Sequence, residues 1–234
     1  MPRVVLGLLR HGAYDQPPNI PSAHLPYPLS ESGRAQSRAA AAAVLQQAAA
    51  EHWEIEPVID SSRLLRAWET ATLLAQELQT QLRRPFRVTE FEALAERSLG
   101  AAANLTVEQI AAVLQQDPRC EPLPADWQRN AFYRLPLQGA ESLVQAGERV
   151  ALFLEERAAD LVGRASRDVL KLVVGHGGSF RFAAVRLGVL RPEEAAGLSM
   201  HHASPVYLER RDAFTWVHVA GAWKERAPAA ARGD

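Results

Sequence analysis

The sequence predicts an α/β protein: a three-layer α/β/α sandwich around a mostly parallel central sheet with one antiparallel edge. Three observations carry this expectation. Short apolar runs at Val4 to Leu9, Pro57 to Asp60 and Asp168 to Val174 have the composition of strands buried on both faces. Long segments with helical spacing separate them, and strands alternating with helices favour parallel pairing through crossovers. Near the carboxyl end, Val206 to Glu209 and Thr215 to Val219 alternate like an antiparallel pair. In such folds the ligand site lies beyond the carboxyl ends of the parallel strands.

The first run, Val4 to Leu9, stops at Arg10, His11 and Gly12. Pro17, Pro18, Pro21, Pro26 and Pro28 then exclude regular structure, and Ser30 has the chemistry of an N-cap for a helix reaching about Glu51. After Pro57 to Asp60, the spacing of Leu65, Ala71, Leu74 and Leu78 predicts a helix over Leu64 to Leu82. Phe86 to Val88 reads as another short strand, and Thr106 as the cap of a helix of about ten residues ending near Asp117 and Pro118. Cys120 to Gly139, rich in proline and aromatics and without a clear period, is expected to be an ordered excursion over the fold. Ser142 caps a helix to about Val162, and Ser179 to Leu187 is the last helical segment. With no repeat or linker, residues 1–226 are expected to form a single domain, with an insertion at about 101–139 over the active site and a disordered tail at 227–234.

Of 234 residues, 47% are hydrophobic and 23% charged, which excludes a disordered or fibrous chain. A net charge of -1 gives no reason to expect nucleic acid or an anionic membrane as partner, while leaving room for a small anionic substrate in a local cationic pocket. Cys120 is the single cysteine, so no internal disulfide can form and a reducing cytoplasm fits best. No segment is apolar for long enough to span a bilayer; the alanine-rich Ala39 to Ala50 is interrupted by Gln46 and Gln47 and reads as a helix. Oligomeric state, monomer or dimer, has no readable pattern.

The residues that carry chemistry sit at three strand ends. Arg10, His11 and Gly12 offer a phosphate anchor beside a nucleophile after the first strand. Ser61, Ser62, Arg63, Leu64, Leu65, Arg66 and Ala67, followed by Thr70, put an arginine in the first turn of a helix after the second. Gly175, His176, Gly177 and Gly178 put a second histidine among glycines that allow close backbone approach to a ligand.

Together with Leu29 to Gln36, the Leu94, Glu96 and Gly100 segment, and Gly139 to Ser142, these motifs resemble in type and order the histidine phosphatase superfamily. That superfamily includes cofactor-dependent phosphoglycerate mutases, fructose-2,6-bisphosphatases and broad phosphomonoesterases. The resemblance runs from Val4 to about Trp223 and implies a phosphoglycerate mutase-like fold acting on a small phosphorylated substrate, with no metal or cofactor. By it, His11 is the phosphorylated nucleophile, Arg10 and Arg66 hold the phosphoryl oxygens with Gly12 and Gly177 beside them, and His176 supports the transferring group. Glu96 is the implied general acid. The chemistry suits these residue types: phosphoryl transfer spreads charge over three equatorial oxygens, which fixed guanidinium forks stabilise by position and charge. An imidazole attacks through an unprotonated nitrogen, so its other nitrogen should donate to a fixed acceptor such as a nearby backbone carbonyl.

Further substrate contacts are expected from Gln16, Asn19, Ser62, Glu141 and one of the neighbouring His201 and His202. Those two histidines face opposite ways on an extended segment and make a poor shared metal site; His202 is the pocket candidate. The insertion offers Trp127, Phe132, Tyr133 and Arg134 as a lid. Several positions depart from the family. Ala13, Tyr14 and Asp15 follow the tripeptide where glutamate and threonine are common, Pro17 stands where many members carry asparagine, and Gly175 replaces a common serine. Leu99 stands where the mutases have a tyrosine, and the 105–139 segment has no counterpart of their arginine pair. Those last two favour a phosphomonoesterase over a mutase, while the altered loop after Gly12 leaves a catalytically silent, phospho-ligand- or protein-binding member as a third alternative.

Overall fold

A computed structural model describes residues 2–226; the tail expected to be disordered, 227–234, lies outside the described residues. The first half runs β1 (Val4–Arg10), α1 (Glu31–Ala50), β2 (Glu54–Ile55), β3 (Val58–Ser62), α2 (Leu65–Leu82), β4 (Arg87–Phe91) and α3 (Val107–Gln116). The second runs α4 (Leu143–Arg164), β5 (Val169–Gly175), α5 (Gly177–Arg186), α6 (Pro192–Gly197), β6 (Leu198–Met200), β7 (Pro205–Arg210), β8 (Trp216–Ala220) and β9 (Trp223–Glu225).

The main sheet has the order β4-β3-β5-β1-β7-β8, with β2 also pairing β5. Strands β1 to β5 pair in parallel, and β7 and β8 form an antiparallel edge. Strand β1 explains the layering. Its Leu6 and Leu8 pack with the α4 and α5 side chains Val150, Leu154, Phe180 and Ala183, while Val5 and Leu9 pack with Ala41, Val44, Ala71 and Leu74 of α1 and α2. A strand covered on both faces has no polar side to alternate, which is why its sequence is a continuous apolar run. Register fixes the site: Arg10 lies opposite Gly175, and Ser61 opposite Val174, so three parallel strands end side by side.

Local chemistry starts the helices. Ser30 accepts from Gly33 N at the start of α1, and Thr106 and Ser142 form capping boxes with Gln109 and Gln145. Helix α5 begins at Gly177, two residues ahead of the expected Ser179, because His176 is its extended N-cap. The short β2, α6, β6 and β9 are additions to the expected elements. The 101–139 segment is held by its own cluster, in which Leu99, Ala102, Ile110, Leu114, Trp127 and Leu135 pack with Ala23. No helix among the described residues is long and apolar enough to cross a membrane.

One buried ion pair interrupts the core beneath the site. Lys171 Nζ on β5 lies 2.7 Å from Asp60 Oδ1 on β3 and donates to Val58 O at 2.8 Å, while Arg157 Nε stands 3.5 Å from Asp60 Oδ2. Burial pushes the Lys171 ammonium down and the Asp60 carboxyl up, opposed by their mutual attraction. Removing Lys171 leaves the buried Asp60 carboxylate with only the more distant Arg157, so Lys171→Ala is expected to lower unfolding free energy by about 3 kcal/mol, the lower end for a broken buried pair. Urea unfolding checks this, and the double variant Lys171→Met with Asp60→Leu should recover most of the loss.

Candidate active site

The ends of β1, β3 and β5 bring His11, Arg66 and His176 into one buried cluster. His11 N donates to Gly175 O at 2.9 Å, locking the end of β1 to that of β5. The His11 and His176 rings have centroids 5.2 Å apart, and His202 lies 5.5 Å from His11 on another side. Arg66, in the first turn of α2 and fully buried, joins the two histidines. Its Nε donates to His11 Nε2 at 3.2 Å and its Nη2 to His176 Nδ1 at 3.3 Å, while Nη1 and Nη2 also donate to Leu25 O and Ala23 O at 2.8 Å each.

These partners fix both tautomers. Gly12 O can only accept, so the 2.7 Å contact makes His11 Nδ1 the protonated nitrogen and leaves the lone pair on Nε2, where Arg66 donates. In His176 the order is reversed. Arg66 can only donate, so Nδ1 accepts, and Nε2 is the donor to Ser62 Oγ at 2.9 Å. Burial, then the charges of Arg66 and Arg10, holds His11 well below the ordinary imidazole value, although the Gly12 carbonyl acts in the opposite sense. Burial and Arg66 do the same to His176. Both rings are therefore neutral near pH 7.

Gly12 is required by packing: a Cβ there would fall 2.5 Å from Gly33 O, and its N–H donates to Thr70 Oγ1 at 2.9 Å. Arg10 reaches alongside Gly177 and donates through Nη1 to Met200 O at 3.1 Å. Glu96 lies at the N-terminus of α5, accepting from Gly178 N at 3.0 Å and Ser179 N at 2.9 Å, and from Arg97 N at 3.0 Å. A Cβ at position 178 would fall 2.6 Å from Glu96 Oε1 and push that carboxyl away from its backbone donors. A carboxylate at a helix N-terminus meets unpaired N–H groups and the positive end of the helix dipole, so α5 anchors this side chain.

His11, Arg10, Glu96, Gly177 and Gly178 line one end of a cavity of about 600 Å³. Other candidates stand outside its lining. Ser62 receives His176, and His202 Nδ1 donates to His11 O at 2.8 Å, so both brace histidines. Glu141 is held by Arg149 at 2.8 Å and by Ser98 N at 3.0 Å. Gln16 Nε2 turns to Ile20 O at 2.7 Å, and Asn19, with φ of 59°, offers its carbonyl to Val107 N, so both stabilise the loop. Among the aromatic lid candidates, Phe132 lines the cavity, whereas Trp127 is buried in the cluster below it and Tyr133 packs against that cluster. Gln128 and Arg129 also line the cavity, and Tyr133 and Arg134 stand outside the lining.

Sequence reasoning gave no role to Tyr14 or His24. The Tyr14 ring packs edge-on to His11, lies 5.0 Å from the Arg66 guanidinium carbon and donates its hydroxyl to Ser22 Oγ. His24 Nε2 donates to Glu96 O at 2.8 Å, tying the same loop to the acid-bearing segment. The position of Tyr14 two residues after the tripeptide was the available signal. Among the described residues no cluster of three or more His, Cys, Asp or Glu side chains is placed to hold a metal ion.

The chain is 26% identical over 213 residues to a 2,3-bisphosphoglycerate-dependent phosphoglycerate mutase of Parvibaculum lavamentivorans, covering 91% of this chain and 92% of that protein. A mycobacterial glucosyl-3-phosphoglycerate phosphatase solved with inorganic phosphate superposes with a TM-score of 0.65 at 25% identity, covering 97% of this chain and 98% of that one. A phosphoglycerate mutase from Bacillus anthracis, 15% identical, shares the fold with a TM-score of 0.69 over 94% of this chain and 92% of its own. Residues 6–221 match the family described as the histidine phosphatase superfamily, branch 1, and with that match spanning the sheet and all three strand ends, the chain belongs to this superfamily.

Proposed function

We propose that the chain is a phosphomonoesterase that hydrolyses a small phosphorylated substrate through a phosphohistidine on His11, without a metal. The observation that carries this reading is the His11 tautomer: a neutral ring with its lone pair on Nε2, beside a buried arginine and at the end of a cavity. On binding, Arg66 Nε turns from that lone pair to a phosphoryl oxygen, and Arg10 takes another. Nε2 then forms the P–N bond as the bond from phosphorus to the leaving oxygen breaks, and Glu96, entering this step as the protonated acid and not as the carboxylate held against α5, gives that oxygen its proton. Water next attacks phosphorus and yields a proton to Glu96. The P–N bond breaks, releasing phosphate and regenerating His11.

The solved neighbour that binds inorganic phosphate supports the anion site. Transfer between positions of a phosphoglycerate is the second reading, favoured by the mutase relative. Leu99 at the mutases' tyrosine position and the lack of their arginine pair weigh against it. Rapid quench with a labelled phosphate ester in chelator is expected to trap an acid-labile, base-stable phosphoenzyme and to release phosphate. Isomerised phosphoglycerate with no released phosphate would favour the mutase, and phosphate binding without a phosphoenzyme would overturn catalysis through His11.

A further inference from the structure

The cavity extends well beyond what a phosphoryl group fills. Gly177, Gly178, Arg181, Phe182 and Val185 all line it, and their spacing puts them on one face of α5. At 1.5 Å rise per residue, the step from Gly177 to Val185 carries the cavity about 12 Å along the helix from the His11 end. The two ends differ in chemistry. Near His11 the walls are Arg10 and Glu96; Pro192 and Ala196 come from α6, which follows α5, and Leu143 and Val144 from the start of α4, Phe132 and the cationic Arg97, Arg129 and Arg226 complete the lining. Arg181, which also borders the trough, is turned toward backbone: its Nη1 donates to Ala195 O and to Leu198 O at 2.7 Å. A volume of about 600 Å³ is that of a site for a whole organic ligand.

Resting on the reading of His11 as the phosphoryl acceptor, we propose that this trough binds the alcohol half of the ester. That half is an extended group with an apolar side, reaching on the order of 12 Å along α5. A three-carbon acid is too short to reach Val185 and has no apolar surface to offer the α4 and α6 walls. Such an alcohol covers them when its phosphate is at His11.

Binding of non-hydrolysable phosphonates to the full chain tests this without turnover. By calorimetry, (2-naphthyl)methylphosphonate is expected to bind about thirtyfold more tightly than methylphosphonate, the order expected when aromatic surface leaves water. Ala196 is exposed and Val185 half-buried, so Ala196→Phe, which fills the far end, and Val185→Asp, which charges it, should both fold. Each is expected to shrink the affinity ratio of the two ligands about tenfold. Equal affinities, no binding of the longer phosphonate, or a ratio unchanged in both variants would overturn the assignment. Absence of ester hydrolysis with the ratio intact would instead defeat the phosphatase reading and leave the trough as a ligand site.

Discussion

Arg66→Ala is expected to cut kcat/KM for a phosphomonoester by roughly a thousandfold to a hundred-thousandfold, the range seen when a phosphoryl-transfer arginine is lost, and to destabilise the protein as well. The two effects share one cause. This guanidinium donates to His11, His176 and the carbonyls of Ala23 and Leu25, so its removal leaves two buried carbonyls unpaired and frees the loop that Tyr14 and Ser22 close over it. Arg66→Lys should rescue little, because one ammonium cannot reproduce the planar fork. His11→Ala supplies the contrast. It should abolish the phosphoenzyme and lower turnover by a factor on the order of a million, as loss of a covalent nucleophile does. Yet the chain should stay folded, since the backbone bond from His11 N to Gly175 O survives the substitution. Steady-state kinetics with thermal unfolding of both variants separates the roles. Equal turnover of His11→Ala and the unmodified chain would remove the phosphohistidine, and an unchanged melting temperature in Arg66→Ala would remove the loop-anchoring role.

What could be read in advance depended on how local the cause was. Strands β1, β3 and β5 announce themselves because burial on both faces leaves no room for polar alternation, and the abrupt change at Arg10 marks where β1 opens to the site. Ser30, Thr106 and Ser142 signal helix starts through side chains that cap their own backbone. By contrast, β2, β6 and β9 are two or three residues long and exist through pairing with distant strands, which no local pattern records. The early start of α5 was hidden by two glycines, poor helix formers that are tolerated because Glu96 receives their turn's N–H groups. In the site, the motif spacing supplied His11, Arg66 and His176, but the carbonyls of Ala23 and Leu25 that grip Arg66 are invisible, since every residue has one. Ser62 and Glu141 fall close to the expected place yet serve their neighbours, a matter of rotamer that sequence does not encode.

The two central histidines should also reveal themselves by being neutral in opposite forms. Labelled with nitrogen-15, His11 is expected to give the spectrum of an Nδ1–H tautomer and His176 that of an Nε2–H tautomer, because one is held by a carbonyl acceptor and the other faces a guanidinium donor. Both should persist well below the pH at which free imidazole takes up a proton, since burial and the adjacent Arg66 depress both groups. The sign for stability follows. Between the depressed folded values and the unfolded value of about 6.5, the unfolded chain binds protons that the folded chain refuses, so acid favours unfolding. Stability is fully present above that unfolded value and falls as the pH drops through it, by up to about 1.4 kcal/mol per histidine per pH unit. Urea unfolding at pH 7.5 and 5.5 measures the slope, and His176→Gln, which keeps a side-chain amide between Ser62 and Arg66, should reduce it by one histidine's share. A slope that does not change in that variant, or a charged imidazolium signal from His11 at pH 6, would mean that the arginine and the buried setting do not hold the nucleophile in its attacking form.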